Sequence, residues 1–238
     1  MLWIILLALW AGPALAAEDW DQSTGTTLPV SQQKEILVRK AFEHSRALDT
    51  EVSEKILSRA ITLDPKDARL YLLRGDARKQ NGQFSQAVED YSRSLALDHK
   101  DEETYLHRAF VYRATGQYQK AINDYLTAIR IRPRGRPYEY VYLAKCLIKL
   151  ERYKEAVPHL EEGIKQDPNS HEGLKLLADC HMTLKNYPDA VKVYTLYIRK
   201  CPDDGAGYFG RAKAYESMGD KKQAEADRKL GKTFEIAP

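Results

Sequence analysis

From residue 34 onward, apolar residues recur at helical spacing, in pairs of stretches that are separated by a turn. In one pair, Tyr105, Ala109 and Tyr112 lie at i, i+4 and i+7 of the first stretch. Residues at these intervals share one face of a helix. Gly116 then turns the chain, and Pro133 prevents the second stretch from continuing as a helix. The pattern predicts an antiparallel pair of helices whose apolar faces pack against each other.

This pattern repeats with a nearly constant period. An alanine of the second stretch returns at separations of 34, 35, 34 and 34 residues, as Ala87, Ala121, Ala156, Ala190 and Ala224. A glycine or alanine lies twelve positions before each of them. A fixed period of this length is typical of repeat proteins. We predict that the two small residues of each unit mark the closest approach of its two helices.

The period divides the chain into six units, at residues 34–67, 68–101, 102–136, 137–170, 171–204 and 205–238. The first unit has Ser53 in place of the second-helix alanine but keeps Ala41 and Leu57, which predicts a degenerate repeat that caps the N-terminal end. The last unit has Arg228 in place of the second-helix aromatic residue, and its polar second helix predicts a C-terminal cap. Residues 17–33 lack apolar periodicity and are predicted to form a flexible arm.

The unit resembles the tetratricopeptide repeat, whose 34-residue pattern is W-x2-L-G-x2-Y, then A-x3-F, then P. In residues 137–170 the matching positions are Tyr140, Leu143, Ala144, Leu147, Ala156, Leu160, Gly163 and Pro168. The resemblance extends over residues 34–238. It implies an all-α fold, an α-solenoid of about five to six helix-turn-helix repeats that form a right-handed superhelix. It also implies a protein-protein interaction scaffold that has no cofactor.

The groove of such a superhelix is the expected binding surface, because the first helix of every unit lines its concave side. The resemblance places the second, fifth, sixth and ninth positions of that helix in the groove. The predicted ligand-binding residues are Leu72, Leu106, Phe110, Tyr138, Val141, Tyr142 and Lys145. Exposed aromatic residues such as Phe110, Tyr138 and Tyr142 are typical anchors for a peptide or protein partner. The alternative is that the apolar members of the set pack between repeats.

The N-terminal residues 2–16 form an uncharged apolar segment that ends in the small-x-small pattern Ala14-Leu15-Ala16. This pattern predicts a signal peptide, residues 1–16, that is cleaved before Ala17. Cleavage predicts a periplasmic or secreted protein. No Lys or Arg precedes the segment, so an uncleaved helix that tethers the chain to a membrane is the alternative. The absence of an Asn-x-Ser/Thr sequon favours a bacterial periplasm.

The net charge and the spacing of histidine, cysteine and glycine residues favour a binding function over a catalytic one. The formal net charge of +3 is too small to indicate nucleic-acid binding. The six histidines show no metal-ligand spacing, and Cys146 and Cys180 occupy equivalent positions where small buried residues are expected. The glycine pattern of residues 205–210 matches a dinucleotide-binding motif but follows a helix where that motif requires a strand. No catalytic, metal or small-molecule cofactor site is predicted.

These observations predict a scaffold or adaptor that binds a protein or peptide segment in its groove and helps to assemble or tether a cell-envelope complex. A self-associating structural repeat protein is the alternative. An enzyme whose site is assembled across repeats is the most distant one. A second candidate surface for an anionic partner is formed by Arg130, Arg132, Arg134 and Arg136. Cations near a helix C-terminus are, however, also favoured by the helix dipole.

Overall fold

The structure, a computed structural model, describes residues 20–21, 26–133 and 136–235. This part of the chain contains twelve helices, and its strands are limited to the antiparallel two-residue pair Trp20–Asp21 and Thr26–Thr27. The fold is all-α, as predicted. The predicted signal peptide, residues 1–16, lies outside the described residues. Among the helices that are described, none combines the length and the apolar character required to cross a bilayer.

The helices follow one another in six sequential pairs, and each pair coincides with one period of the sequence. In chain order they are α1 Val30–Arg46, α2 Thr50–Leu63, α3 Ala68–Gln80, α4 Phe84–Leu97, α5 Glu102–Ala114, α6 Tyr118–Ile131, α7 Pro137–Lys149, α8 Tyr153–Gln166, α9 His171–Thr183, α10 Tyr187–Lys200, α11 Gly205–Ser217 and α12 Lys221–Glu235. The chain divides into two compact units at the bond between Val111 and Tyr112, which lies within α5. The first unit contains α1 to α4 and most of α5. The second contains the end of α5 and α6 to α12.

The first helices begin at residues suited to helix N-termini. The side chains of Asp67, Ser170 and Asp204 accept hydrogen bonds from backbone N–H groups of the first turns of α3, α9 and α11, which satisfies donors that lack an intrahelical partner. Pro137 opens α7, where its missing N–H costs no hydrogen bond. The helix α11 begins at Gly205, so the glycine pattern of residues 205–210 is a helix start and has no preceding strand.

One predicted boundary is wrong. The helix α1 begins at Val30, so the last four residues of the predicted arm are helical. The carbonyl oxygen of Pro29 accepts hydrogen bonds from the backbone N–H groups of Gln32 and Gln33, and these bonds start the helix. The polar residues of this first turn hide it from a search for apolar periodicity.

The turn inside every helix pair has the same backbone conformation. One residue per turn has a positive φ, at residues 48, 82, 116, 151, 185 and 219. Three of these residues are glycines, with φ of 72° to 85°. The other three are Leu48, Glu151 and Lys185, with φ of 58° to 63°, a region that residues with a Cβ rarely adopt. The turn is therefore set by the fold even where its sequence lacks glycine.

The small residues of the α3–α4 and α7–α8 pairs are buried at the contact between the paired helices. In the first unit, Ala87 and Tyr91 of α4 are completely buried. A Cβ added to Gly75 of α3 would lie 2.6 Å from Cε1 of Tyr91, so the tyrosine ring packs directly on the backbone of α3. In the second unit, Ala144 of α7 and Ala156 of α8 are likewise completely buried. The α3–α4 and α7–α8 pairs are thus held by apolar contacts at small residues, and in α3 a Cβ at residue 75 would not fit.

Buried ion pairs reinforce two of the helix pairs. The carboxylate of Asp90 in α4 accepts hydrogen bonds from Nε and Nη2 of Arg74, at 2.9 and 2.7 Å, and from Nη1 of Arg78 at 2.8 Å. The carboxylate of Asp227 in α12 accepts two from Arg211 of α11, at 2.8 and 2.7 Å. Both carboxylates are buried. A buried carboxylate requires such partners, since an unpaired buried charge is strongly unfavourable.

Candidate binding site

Each unit carries a candidate site, the surface formed by the first helices of its successive repeats, which we call the first-helix face of that unit. In the first unit this face comes from α1, α3 and the part of α5 up to Val111. In the second unit it comes from α7, α9 and α11. The predicted residues Leu72, Leu106 and Phe110 belong to the first unit, and Tyr138, Val141, Tyr142 and Lys145 belong to the second. The two sets are described in turn.

In the first unit, the carboxylate of Asp76 is the centre of a polar cluster. Its Oδ1 accepts hydrogen bonds from Nζ of Lys79 and from the hydroxyl of Tyr91, both at 2.8 Å. Nδ1 of His107 lies 2.7 Å from the same oxygen. Burial alone would raise the pKa of Asp76, but the contacts with His107 and Lys79 outweigh it and lower that pKa. Asp76 is therefore a carboxylate at neutral pH.

Phe110 lies beside this cluster at the surface. Its side chain is 42% exposed, and Nζ of Lys79 lies 5.9 Å from the centroid of its ring. A cation at this distance interacts favourably with the face of an aromatic ring. Phe110 thus combines an exposed apolar surface with a fixed neighbouring charge, as expected of an anchor for a partner.

The other two predicted residues of the first unit contribute less surface. Leu72 is half-buried and packs against the cluster of Ala87, Tyr91 and Val111. Leu106 is only 8% exposed. Leu106 therefore offers little surface to a partner, and its role as a ligand contact stays a prediction.

A cavity on the first-helix face of the first unit was missed by the sequence analysis. It has a volume of about 250 Å³ and is lined by residues of α1, α2 and α3, among them Phe42, Leu57 and Asp76. Phe42 is 46% exposed. It lies 34 residues before Asp76 and 68 before Phe110, so the period marks it as a groove position. The period therefore predicts a groove position here, in addition to the capping role predicted for the first repeat.

In the second unit, two tyrosines of α7 form an aromatic cluster on the first-helix face. The rings of Tyr138 and Tyr142 have centroids 5.7 Å apart and an interplanar angle of 56°. Tyr138 is 43% exposed. The guanidinium of Arg113 and Nζ of Lys145 lie 4.8 and 5.4 Å from the centroid of the Tyr142 ring. The cluster is therefore aromatic and positively charged.

The surroundings of this cluster include both charge signs. Nζ of Lys145 pairs with Oε1 of Glu172 in α9 at 2.5 Å, and Nη1 of Arg136 donates a hydrogen bond to the hydroxyl of Tyr138 at 2.6 Å. A cavity of about 160 Å³ is lined by Tyr138, Val141, Tyr142, Glu172 and their neighbours. Val141 lines this cavity although it is only 3% exposed, and its role as a ligand contact stays a prediction.

The second candidate surface, formed by alternating arginines, is only partly described. Arg134 lies outside the described residues. Arg136 contacts Tyr138, as noted above, and Nη2 of Arg130 donates a hydrogen bond to the hydroxyl of Thr127 at 3.2 Å. These side chains therefore make local contacts around a helix end and turn.

The cysteines and histidines of the described residues form no group of three or more potential metal ligands, with or without carboxylates. Cys146 and Cys180 are buried, as predicted, and burial raises the pKa of each thiol to about 11. Sγ of the half-buried Cys201 lies 2.5 Å from Nδ1 of His171, and burial raises its pKa as well. Thiols with raised pKa values are poor nucleophiles at neutral pH.

Family models match most of the repeat region. A model of the tetratricopeptide repeat matches residues 40–102 and 143–205, which together exceed half of the chain. A model of subunit 3 of the anaphase-promoting complex, cyclosome, matches residues 80–163. No curated protein matches the chain.

Solved structures share the fold. YrrB, described as a tetratricopeptide repeat protein with an unusual peptide-binding site, is 18% identical with a TM-score of 0.69, over 75% of this chain and 91% of YrrB. MamA is 20% identical with a TM-score of 0.68, over 72% of this chain and 93% of MamA. A tetratricopeptide repeat protein from Parabacteroides merdae is 24% identical with a TM-score of 0.67, over 86% and 80% of the two chains. At these identities the likeness concerns the fold alone.

Proposed function

We propose that this chain, which belongs to the tetratricopeptide repeat family, is a non-catalytic adaptor that binds a segment of a partner protein on its first-helix face. One observation carries the proposal: the first helices of both units expose aromatic side chains. Phe42 and Phe110 in the first unit and Tyr138 in the second are 42% to 46% exposed. Aromatic residues contribute much of the binding energy of protein interfaces when a partner covers them.

The charges around these aromatic residues favour a partner segment that carries apolar residues and charges of both signs. In the second unit, Arg113 and Lys145 lie close to the ring of Tyr142, and Lys145 is paired with Glu172. A partner with charges of both signs would complement this surface, and such complementarity favours association and specificity. The description of YrrB as having a peptide-binding site is consistent with a peptide-like ligand for this fold.

We also propose that the adaptor acts in the periplasm or as a secreted protein, in the assembly or tethering of a cell-envelope complex. This part of the proposal rests on the apolar segment of residues 2–16 and its small-x-small pattern. N-terminal sequencing of the chain recovered from its native cell is expected to begin at Ala17. Recovery with an intact N-terminus in the membrane fraction would instead favour the tethered alternative.

A second candidate function is self-association. Leu196 of α10 and Leu230 of α12 occupy equivalent positions of successive second helices and are 46% and 47% exposed. Exposed leucines in register offer an apolar surface to another copy. Light scattering distinguishes the two functions, since a mass that stays monomeric at all concentrations excludes self-association.

The experiment that tests the adaptor function is affinity capture of partners from the native envelope. We expect Phe110→Ala combined with Tyr142→Ala to abolish capture of a partner identified by mass spectrometry, while helical circular dichroism is unchanged. The matched control is Leu126→Ala combined with Leu196→Ala, which removes two exposed apolar residues from second helices. Equal capture by wild type and by the first-helix variant would refute the proposed surface.

A further inference from the structure

We infer that the cavity of the first unit is a pocket for one tryptophan side chain of the partner segment. The inference rests on the proposed function, which supplies the segment, and it adds the residue that the segment must carry. The cavity of about 250 Å³ lies between α1, α2 and α3. Its position, its apolar floor and one carboxylate at its edge each support the assignment.

The pocket exists because the first repeat has a small residue at a position where the other repeats have long ones. Ser45 lines the cavity. The equivalent positions of the following repeats are occupied by Lys79, Arg113, Ile148, Met182 and Glu216. A long side chain at Ser45 would extend into the same space. The pocket is thus a specific property of the N-terminal repeat.

The hydroxyl of Ser45 is also held in place. Its Oγ is hydrogen-bonded to Oγ of Ser53 at 2.8 Å, and Ser53 donates to the carbonyl oxygen of Ala41 at 3.0 Å. Ser53 is the residue that replaces the second-helix alanine of the other repeats. The two departures from the repeat pattern therefore contact each other and shape one wall of the pocket.

The floor of the pocket is apolar. Ala41, Leu57 and Ala77 line it, and each is 2% exposed. Phe42, at the entrance, is 46% exposed and offers a ring for an aromatic contact. A dry apolar cavity of roughly 150 Å³ binds benzene, so the present volume is sufficient for a larger aromatic group such as indole.

The polar lining of the pocket comprises Ser45, Arg46, Ser53, Asp76 and Gln80, and the carboxylate of Asp76 selects tryptophan over phenylalanine. Asp76 lines the cavity, and its contacts with Lys79, Tyr91 and His107 all use Oδ1. Its Oδ2 takes part in none of the three. A carboxylate oxygen only accepts hydrogen bonds, and the indole N–H only donates. An indole seated on the floor with its N–H towards Oδ2 of Asp76 would satisfy both groups.

Titration of the full chain with N-acetyl-tryptophanamide, followed by NMR of its alanine and leucine methyl groups, tests the inference. We expect the methyl signals of Ala41, Leu57, Leu73 and Ala77 to shift, with an affinity at least about tenfold higher than for N-acetyl-phenylalaninamide, as expected for one hydrogen bond to a charged group. Ser45→Met is expected to abolish the shifts. This variant should fold, because Met182 occupies the equivalent position of another repeat.

The matched control is Ser217→Met, an exposed serine at the end of α11, which is expected to bind the probe like the wild type. Unchanged methyl signals in the folded wild type would overturn the pocket, and equal affinities for the two probes would overturn the selection of tryptophan. Binding that requires deletion of residues 17–29 would show that this segment, which contains Trp20, is the occupant instead. None of these results alters partner capture through Phe110 and Tyr142, so the proposed function is tested separately.

Discussion

At the scale of single residues, the positive-φ position of each hairpin turn is where sequence and conformation disagree most. Gly82, Gly116 and Gly219 adopt the left-handed conformation without steric cost, whereas Leu48, Glu151 and Lys185 adopt it with a Cβ. A Cβ in this region costs roughly 1–2 kcal/mol. Three of the six turns therefore hold an unfavourable backbone conformation that the surrounding helix contacts enforce.

The first prediction concerns Lys185. Lys185→Gly is expected to raise the free energy of unfolding by about 0.5 kcal/mol, because relief of the left-handed strain exceeds the added freedom of the unfolded chain. The reverse change, Gly116→Ala, is expected to lower it by about 1 kcal/mol. Urea denaturation followed by circular dichroism measures both. A lower denaturation midpoint for Lys185→Gly than for the wild type would contradict this account.

Residue-scale exposure was the least predictable property of the candidate site. The repeat pattern correctly identified the buried positions of each helix pair, such as Ala87 and Tyr91. It could not separate Leu106 and Val141, which are buried, from Phe110 and Tyr138, which are exposed. All four occupy groove positions of a first helix. The exposure of such a position depends on how the rest of the fold packs around it, which no local pattern contains.

At the scale of helices, the Arg211–Asp227 pair between α11 and α12 has an apolar counterpart in the preceding repeat. The positions equivalent to Arg211 and Asp227 in α9 and α10 are Leu177 and Val193. The same helix packing is thus achieved by an ion pair in one repeat and by two apolar side chains in another. A buried ion pair stabilises little more than a well-packed apolar replacement, although loss of one partner is costly.

The second prediction is a double-mutant cycle at this pair. Asp227→Val alone is expected to lower the free energy of unfolding by about 3 kcal/mol, because the half-buried guanidinium of Arg211 loses its partner. The double variant Arg211→Leu with Asp227→Val is expected to lie within about 1 kcal/mol of the wild type. Chemical denaturation of the four chains measures the coupling. Additive losses in the double variant would show that the ion pair is required.

Most helix boundaries were predictable from the sequence, and the physical reason differs from one boundary to another. Pro137 and Gly205 begin helices at the positions that the period predicts. The start of α1 at Val30 was not predicted, because its first turn is polar and contributes no buried residue. The turns at Glu151 and Lys185 lack glycine, yet the period locates them because the flanking helices fix their length.

At the scale of the whole molecule, carboxylates with lowered pKa values make the folded state less stable in acid than at neutral pH. Contacts with His107 and Lys79 lower the pKa of Asp76 despite its burial. The hydrogen bond from Tyr197 lowers the pKa of Asp204. A carboxylate with a lower pKa in the folded state stabilises that state fully above its unfolded pKa, near 3.8. This contribution is lost as the pH falls through 3.8 towards the folded pKa.

The third prediction follows from this sign. Asp76→Asn is expected to unfold at a lower urea concentration than the wild type at pH 7, and the difference is expected to shrink as the pH falls below 3.8. Asp203→Asn, at an exposed turn, is the control and should follow the wild type at both pH values. A difference for Asp76→Asn that persists unchanged in acid would contradict an electrostatic origin.

The whole fold was predictable because its information is repeated along the chain. Each of the six repeats predicts the same helix pair, so the fold is still predicted where one repeat departs from the pattern, as at Ser53. The pocket beside Ser45 was not predicted for the opposite reason. It arises where one repeat departs from the rest, and averaging over copies removes such departures.

The recurring left-handed turn has a consequence for how such a chain changes in length. A cut at any two of the six turn residues exposes chain ends with the same local conformation, so the outer fragments can be joined without a new turn. Addition or removal of one period therefore preserves the backbone path at the junction, whatever residue is present there. Duplication or deletion of a whole repeat therefore requires no new kind of turn at the junction.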